Sequence, residues 1–183
     1  MCTFYHTTNR SFKVGDQFST DDFDGDTTYD HANRKKQDKA INYQMDEKRP
    51  HGALSRTKCI YLFDNFQFCM QYACSMKYGH IYEVLPVGSY YGPCPMSLVT
   101  ITRKCSQDQI EKVIEEYWLP KQQWNIHEYL ASKIKFVKDL SFNHSDVITN
   151  YSEDFDKAIR MFPSMNLTTN IDSGRHCDLY SNL

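Results

Sequence analysis

The chain has 183 residues, enough for one domain with a substantial core. Hydrophobic residues at 40% and aromatics at 14% exclude an intrinsically disordered chain, while a mean hydropathy of -0.64 requires long polar segments between the apolar ones. With 21 Lys+Arg against 23 Asp+Glu the net charge is -2, so the molecule as a whole does not advertise a polyanionic partner, and a nucleic-acid site would have to be a local patch.

No apolar run approaches the roughly 18 to 20 residues needed to span a bilayer. Met1 to Phe18 lack the basic-then-apolar layout of a signal peptide. The expectation is a cytoplasmic protein with no membrane partner. The cysteines (Cys2, Cys59, Cys69, Cys74, Cys94, Cys105, Cys177) are odd in number and form no C-x-x-C pair, so they read as reduced thiols, several of them in the core. Histidines and cysteines are scattered without ligand spacing, and no metal is expected.

Cys2 to Tyr5 read as a short strand that ends in a polar turn at His6-Thr7-Thr8, and Phe12 to Asp16 turn again. From Ser19 to Arg49 nearly every residue is polar, a surface excursion with one helical stretch near Arg34 to Met45. A second strand fits Cys59 to Phe63, with Asp64 or Asn65 at the N-cap of the helix that follows. In that helix Phe66, Cys69, Met70, Ala73 and Lys77 share one face, and Gly79 stops it.

Ile81 to Val87 and Met96 to Thr102 read as paired strands, separated by Gly88, Gly92, Pro93 and Pro95. Ser106 and Gln109 form a capping box for a helix from about Gln107 to Trp118, whose face is Ile110, Val113, Ile114 and Tyr117. Ile134 to Leu140 is a late strand, whereas Ile126 to Lys133 fits helix or strand equally. Beyond Asn143 the sequence is polar, with a helix from Glu153 to Phe162 ended by Pro163. Trp118 and Trp124 read as packing residues and Glu83 as exposed. The runs Arg34-Lys35-Lys36 and Lys48-Arg49 read as solvated faces among acidic neighbours. The expected domain covers residues 1–143, with the excursion at 19–49, and residues 144–183 form a C-terminal helix and polar tail.

Tyr5-His6-Thr7-Thr8 resembles the Y-H-x-T or H-G-[ST] segment that opens ADP-ribosyltransferases of the diphtheria-toxin and poly(ADP-ribose) polymerase type. With Phe12-Lys13-Val14-Gly15-Asp16 it also looks like the opening of the small transferases that inactivate rifamycins. Ile60-Tyr61-Leu62-Phe63-Asp64 and Tyr72-Ala73-Cys74 are similar to the polymerase-type G-I-Y-F-A-D and N-Y-C segments, in the same order and with a like interval. Ile81 to Gly88 looks like the strand that follows in the rifamycin-type enzymes. The resemblance covers roughly Thr3 to Gly88, and more weakly extends to Leu140.

The resemblance implies an α+β fold of split antiparallel β-sheets with flanking helices, and NAD⁺ as substrate. It implies a cofactor site made by His6, Thr7, Thr8, Tyr61 and Tyr72, the tyrosine faces holding the cationic nicotinamide. Arg56, just before the tyrosine strand, is placed either to reach the pyrophosphate or as a solvated strand-end arginine. Breaking the nicotinamide bond leaves positive charge on the ribose, so a carboxylate is required. Ser89 to Ser106 hold no Asp or Glu, a departure from the rifamycin-type pattern, and His127-Glu128-Tyr129-Leu130 resembles the polymerase-type N-E-Y-I. Glu128 is therefore the expected third member of a catalytic set with His6 and Tyr61, provided its segment is a strand.

The implied activity is transfer of ADP-ribose from NAD⁺ to a macromolecule, a protein before nucleic acid, as in a toxin, effector or phage protein working in a host cytoplasm. The alternative is a catalytically silent domain of the same fold that binds NAD⁺ or a partner protein as an inhibitor or sensor. RNA 2′-phosphotransferase chemistry shares the fold but needs an arginine-rich site, for which only Arg10 and Arg56 are placed. Taken alone, His6 is an ordinary strand-end histidine and Tyr61 and Tyr72 are ordinary core aromatics.

Overall fold

A computed structural model describes residues 3–22, 36–76, 78–102, 105–140 and 152–161. Seven strands form one antiparallel sheet: β1 (Phe4–Thr8), β2 (Gln17–Ser19), β3 (Ile60–Phe63), β4 (His80–Pro86), β5 (Tyr90–Pro95), β6 (His127–Ala131) and β7 (Lys133–Leu140). Among the described residues five α-helices accompany it: α1 (Lys36–Glu47), α2 (Phe66–Met76), α3 (Met96–Thr102), α4 (Gln107–Trp118) and α5 (Ser152–Met161). Among the described residues no helix is long and apolar enough to cross a membrane.

The strand order is β2-β7-β4-β1-β3-β6-β5, and chain connectivity forces this sheet to roll. In that order β7 and β6 lie four positions apart, which would be roughly 19 Å in a flat sheet. Only Ser132 separates them in the chain, a reach of about 7 Å. The β4 to β5 connection crosses at the same corner: Ser132 donates its N–H to the Ser89 carbonyl at 2.9 Å, and Val87 donates to Lys133 at 3.0 Å. A Cβ on Gly88 would lie 3.0 Å from Lys133 Cβ, so the two crossing strands touch there.

Rolling gives the sheet an inner and an outer face. Phe4, Phe18, Ile60, Leu62, Tyr82, Val84, Ala131, Ile134 and Phe136, all from strands, fill the inside. The outer face meets the helices, and Phe63, Ile81, Cys94 and Leu130 pack there against Met45, Phe68, Ala73, Leu98, Ile101, Tyr117 and Trp118.

Local sequence explains several elements. Asn65 Oδ1 accepts the Phe68 N–H at 2.9 Å, so Asn65 rather than Asp64 caps α2. Ser106 donates its N–H to Gln109 Oε1 at 3.1 Å, and α4 then buries Val113, Ile114, Tyr117 and Trp118 as its spacing predicts. Trp118 and Trp124 are buried packing residues. The ambiguous stretch resolves as strand over His127–Ala131.

Four expectations are corrected. Met96–Thr102 is helix α3, buried on all sides between the sheet and its packing partners α4 and α5, so no polar face marks its period. Tyr90–Pro95, expected only to separate two strands, is edge strand β5, where prolines are tolerated. His6-Thr7-Thr8 does not turn, because all three residues continue β1 against Tyr82, Ile81 and His80. Glu83 is half-buried rather than exposed. The expected helix from Arg34 begins within the described residues at Lys36, Ala158 of α5 packs on the outer core, and the tail after Met161 lies outside the described residues.

Candidate functional site

The sheet is thinnest where β1 meets β3. Each has a fuller ladder on its other side, but the two share only the register pair Tyr5 and Phe63. Beyond that pair the strands part, and the His6 side chain bridges them, with Nδ1 2.9 Å from the Tyr61 carbonyl. A carbonyl only accepts, so Nδ1 carries the proton and Nε2 is the acceptor. Burial holds the His6 pKa down to about 4, against a smaller opposing effect of the Tyr61 carbonyl, so the ring is neutral near pH 7. Among the described residues Nε2 has no hydrogen-bond partner, and it is not among the buried unpaired atoms.

Strand alternation separates the expected clamp. His6 points inward, its ring 6.4 Å from that of Phe136. Tyr61 points outward, where its hydroxyl donates to the Arg56 carbonyl at 2.6 Å. Tyr72, on α2, packs on the same outer side, 5.2 Å from the Phe63 ring. The tyrosines therefore share a face with each other and not with His6. Thr7 is buried with its hydroxyl given to the His80 carbonyl at 3.0 Å, and Thr8 Oγ1 accepts the Arg10 N–H at 3.1 Å.

Arg56 is neither at a pyrophosphate-facing surface nor solvated. It is 2% exposed, and its guanidinium pairs with Glu128, which is 1% exposed. Arg56 Nε donates to Asn42 Oδ1 at 2.9 Å, Nη1 also reaches the Tyr117 hydroxyl, and Tyr117 donates to Glu128 Oε1 at 2.5 Å. The guanidinium lies 4.7 Å from the Tyr117 ring centroid and 5.1 Å from that of Tyr61. Burial, foremost, pushes the Tyr117 pKa well up, so the hydroxyl remains a donor. Asp46 fixes the backbone of this turn, accepting the Arg56 N–H at 2.7 Å. Glu128 is thus on a strand, as its role required, but it faces the helices as one half of a buried ion pair.

The inner face holds a group that the sequence alone did not bring forward. Asp64, at the end of β3, stands opposite His127 on β6. His127 Nδ1 lies 3.1 Å from Asp64 Oδ2, and the Tyr129 hydroxyl donates to the same oxygen at 3.2 Å. The other oxygen, Oδ1, is buried without a partner. Asp64 was visible as a cap candidate and as the end of the Ile60-Tyr61-Leu62-Phe63-Asp64 segment, and His127 and Tyr129 only as the neighbours of Glu128. The missing signal was the pairing of Phe63 with Glu128, which sets Asp64 beside His127. Among the described residues no three His, Cys, Asp or Glu side chains gather as a metal site.

Comparison with models of known protein families and with curated proteins finds no match to the chain.

Proposed function

We propose that the chain is an ADP-ribosyltransferase-type protein that binds NAD⁺ where β1 and β3 part and transfers its ADP-ribose to a macromolecular target, a protein before nucleic acid. The observation that carries this reading is His6. Its Nδ1 is tied to the Tyr61 carbonyl exactly where the ladder ends, which leaves Nε2 as an open acceptor for a ribose hydroxyl. A rigidly held acceptor of that kind positions the nicotinamide ribose for bond cleavage. An antiparallel sheet flanked by helices is compatible with the α+β class that the motifs around His6, Tyr61 and Tyr72 imply.

One observation favours a second reading, the catalytically silent NAD⁺-binding domain: Glu128 is held by Arg56 and Tyr117 and does not face His6. Calorimetric titration with NAD⁺, followed by label transfer from NAD⁺ to lysate proteins, separates the two. Binding that weakens at least tenfold in His6→Gln, together with transfer by the wild type, supports the transferase. Binding without transfer supports the silent domain, and absence of NAD⁺ binding removes both.

A further inference from the structure

We infer that Asp64, His127 and Tyr129 form a general-base site for a hydroxyl-bearing acceptor, with His127 Nε2 as the atom that takes the acceptor's proton. This inference rests on the NAD⁺ reading above.

A carboxylate can only accept, so the His127 Nδ1 facing Asp64 carries the proton and Nε2 is an acceptor. Among the described residues Nε2 has no partner, and it is not one of the buried unpaired atoms. The His127 and Asp64 side chains are 21% and 24% exposed, which puts the pair at a rim that a ligand can reach. Both donors converge on Oδ2 while Oδ1 is left buried and unpaired. A carboxylate that only ties strands together gains most when its donors are spread over both oxygens. Here the arrangement leaves negative charge uncompensated beside the imidazole, where it stabilises the imidazolium that proton transfer creates.

Position links this pair to His6. Tyr5, Phe63 and Glu128 stand in one row on the outer face. One step along each strand toward one end are Phe4, Asp64 and His127, and one step toward the other are His6, Leu62 and Tyr129, all facing inward. The two inner rows are adjacent, about 7 Å apart along the strands, and His6 and His127 are also two strands apart, about 10 Å across, which sets their backbones about 12 Å from each other. A ribose held at His6 together with an acceptor hydroxyl beside it spans that separation, and the acceptor is then the group within reach of His127.

In the step, the acceptor oxygen bonds to the ribose carbon as the bond from that carbon to nicotinamide breaks. The bonding pair returns to the ring nitrogen, and neutral nicotinamide leaves. The hydroxyl proton passes to His127 Nε2 and later to water. A carboxylate acceptor arrives ionised and needs no such base, whereas a hydroxyl does, so the site selects serine, tyrosine or sugar hydroxyls, and water in their absence.

The test uses the full chain with NAD⁺ and water as acceptor, measuring the NAD⁺ dissociation constant and nicotinamide release for wild type, Asp64→Asn, His127→Gln and His127→Gly. Release should fall roughly 10²-fold to 10³-fold in His127→Gln, within the range of general-base losses, with NAD⁺ affinity changed less than about twofold. Added imidazole should restore release in His127→Gly, which a structural role would not allow. Unchanged release in His127→Gln, or absence of imidazole rescue with a folded variant, overturns the inference and leaves NAD⁺ binding standing. Wild-type protein that binds NAD⁺ but releases no nicotinamide also overturns it. Wild-type protein that does not bind NAD⁺ overturns this inference and the proposed function together.

Discussion

Glu128→Ala should destabilise the protein before it says anything about chemistry. Both partners of the Arg56 and Glu128 pair are almost wholly removed from water, with side-chain exposures of 3% and 2%. Truncating Glu128 takes its buried carboxylate away from the guanidinium, which keeps Asn42 and Tyr117 as neutral partners. Breaking a buried pair from one side costs about 3–5 kcal/mol. For a chain of this size each kcal/mol moves the melting temperature by about 2–4 °C, so the variant should melt roughly 6–20 °C below wild type. Replacing both charges and the hydroxyl with apolar groups, as Arg56→Met, Glu128→Leu and Tyr117→Phe together, should recover part of that loss, because the buried charges are gone while Asn42 Oδ1 loses its Arg56 donor. The assay is thermal unfolding followed by circular dichroism, with urea titration as a check. A Glu128→Ala protein melting within about 2 °C of wild type, with an unchanged cooperative transition, would refute the buried network.

His6 gives a pH signature. Its folded pKa is about 4, below the unfolded value of 6.5. Between those values only the unfolded chain takes up a proton, so stability is full above about 6.5 and falls as pH falls through the window, by roughly 2–3 kcal/mol once partial exposure is allowed for. His6→Gln should flatten that slope in urea unfolding at pH 7 and pH 4.5, and an unchanged slope would assign it to other groups. Gly92 sits at φ +149°, and an added Cβ would lie 2.6 Å from Tyr129 Cδ1 and 3.1 Å from the Glu128 carbonyl. Gly92→Ala should therefore lower stability by about 1–3 kcal/mol in the same assay, and a neutral result would mean that β5 relaxes around it. Burial pushes the Cys94 thiol up to about 12 and raises those of Cys59 and Cys69 as well. Native protein should be alkylated at half-buried Cys74 before these three, read by peptide mass spectrometry, and early labelling of Cys69 would contradict its burial.

How much of this was legible in the sequence depended on whether an element had one wet face. Helix α2 was readable because Phe66, Cys69, Met70 and Ala73 recur at helical spacing between an N-cap and Gly79, and α4 because a capping box precedes an apolar stripe with a wet opposite face. Helix α3 was not, since Val99, Thr100, Ile101 and Thr102 are β-prone and buried on every side, so packing against α4 and α5 overrode local preference. Strand β5 was hidden by Gly92, Pro93 and Pro95, which an edge strand accepts. The rolled sheet follows from pairings between distant segments, which no local sequence pattern reveals.

The candidate site turned on alternation, a finer matter than whether a segment is strand. In His127-Glu128-Tyr129 successive side chains leave opposite faces of β6. The motif likeness drew attention to the glutamate, but the pairing of Phe63 with Glu128 commits that residue to the helix side, where a buried arginine from the turn before β3 neutralises it. The same pairing gives the inner face to His127 and Tyr129, and brings the carboxylate of Asp64 to them. A slip of one residue would exchange the two sets, leaving a buried histidine against Arg56 and an unpaired glutamate at the rim. The ion pair with Arg56 opposes that slip, since it is satisfied in one register only. A group that fixes which residues face the seam need not touch a ligand to be indispensable, and Glu128 acts on the inner face in that way, by holding His127 and Tyr129 there.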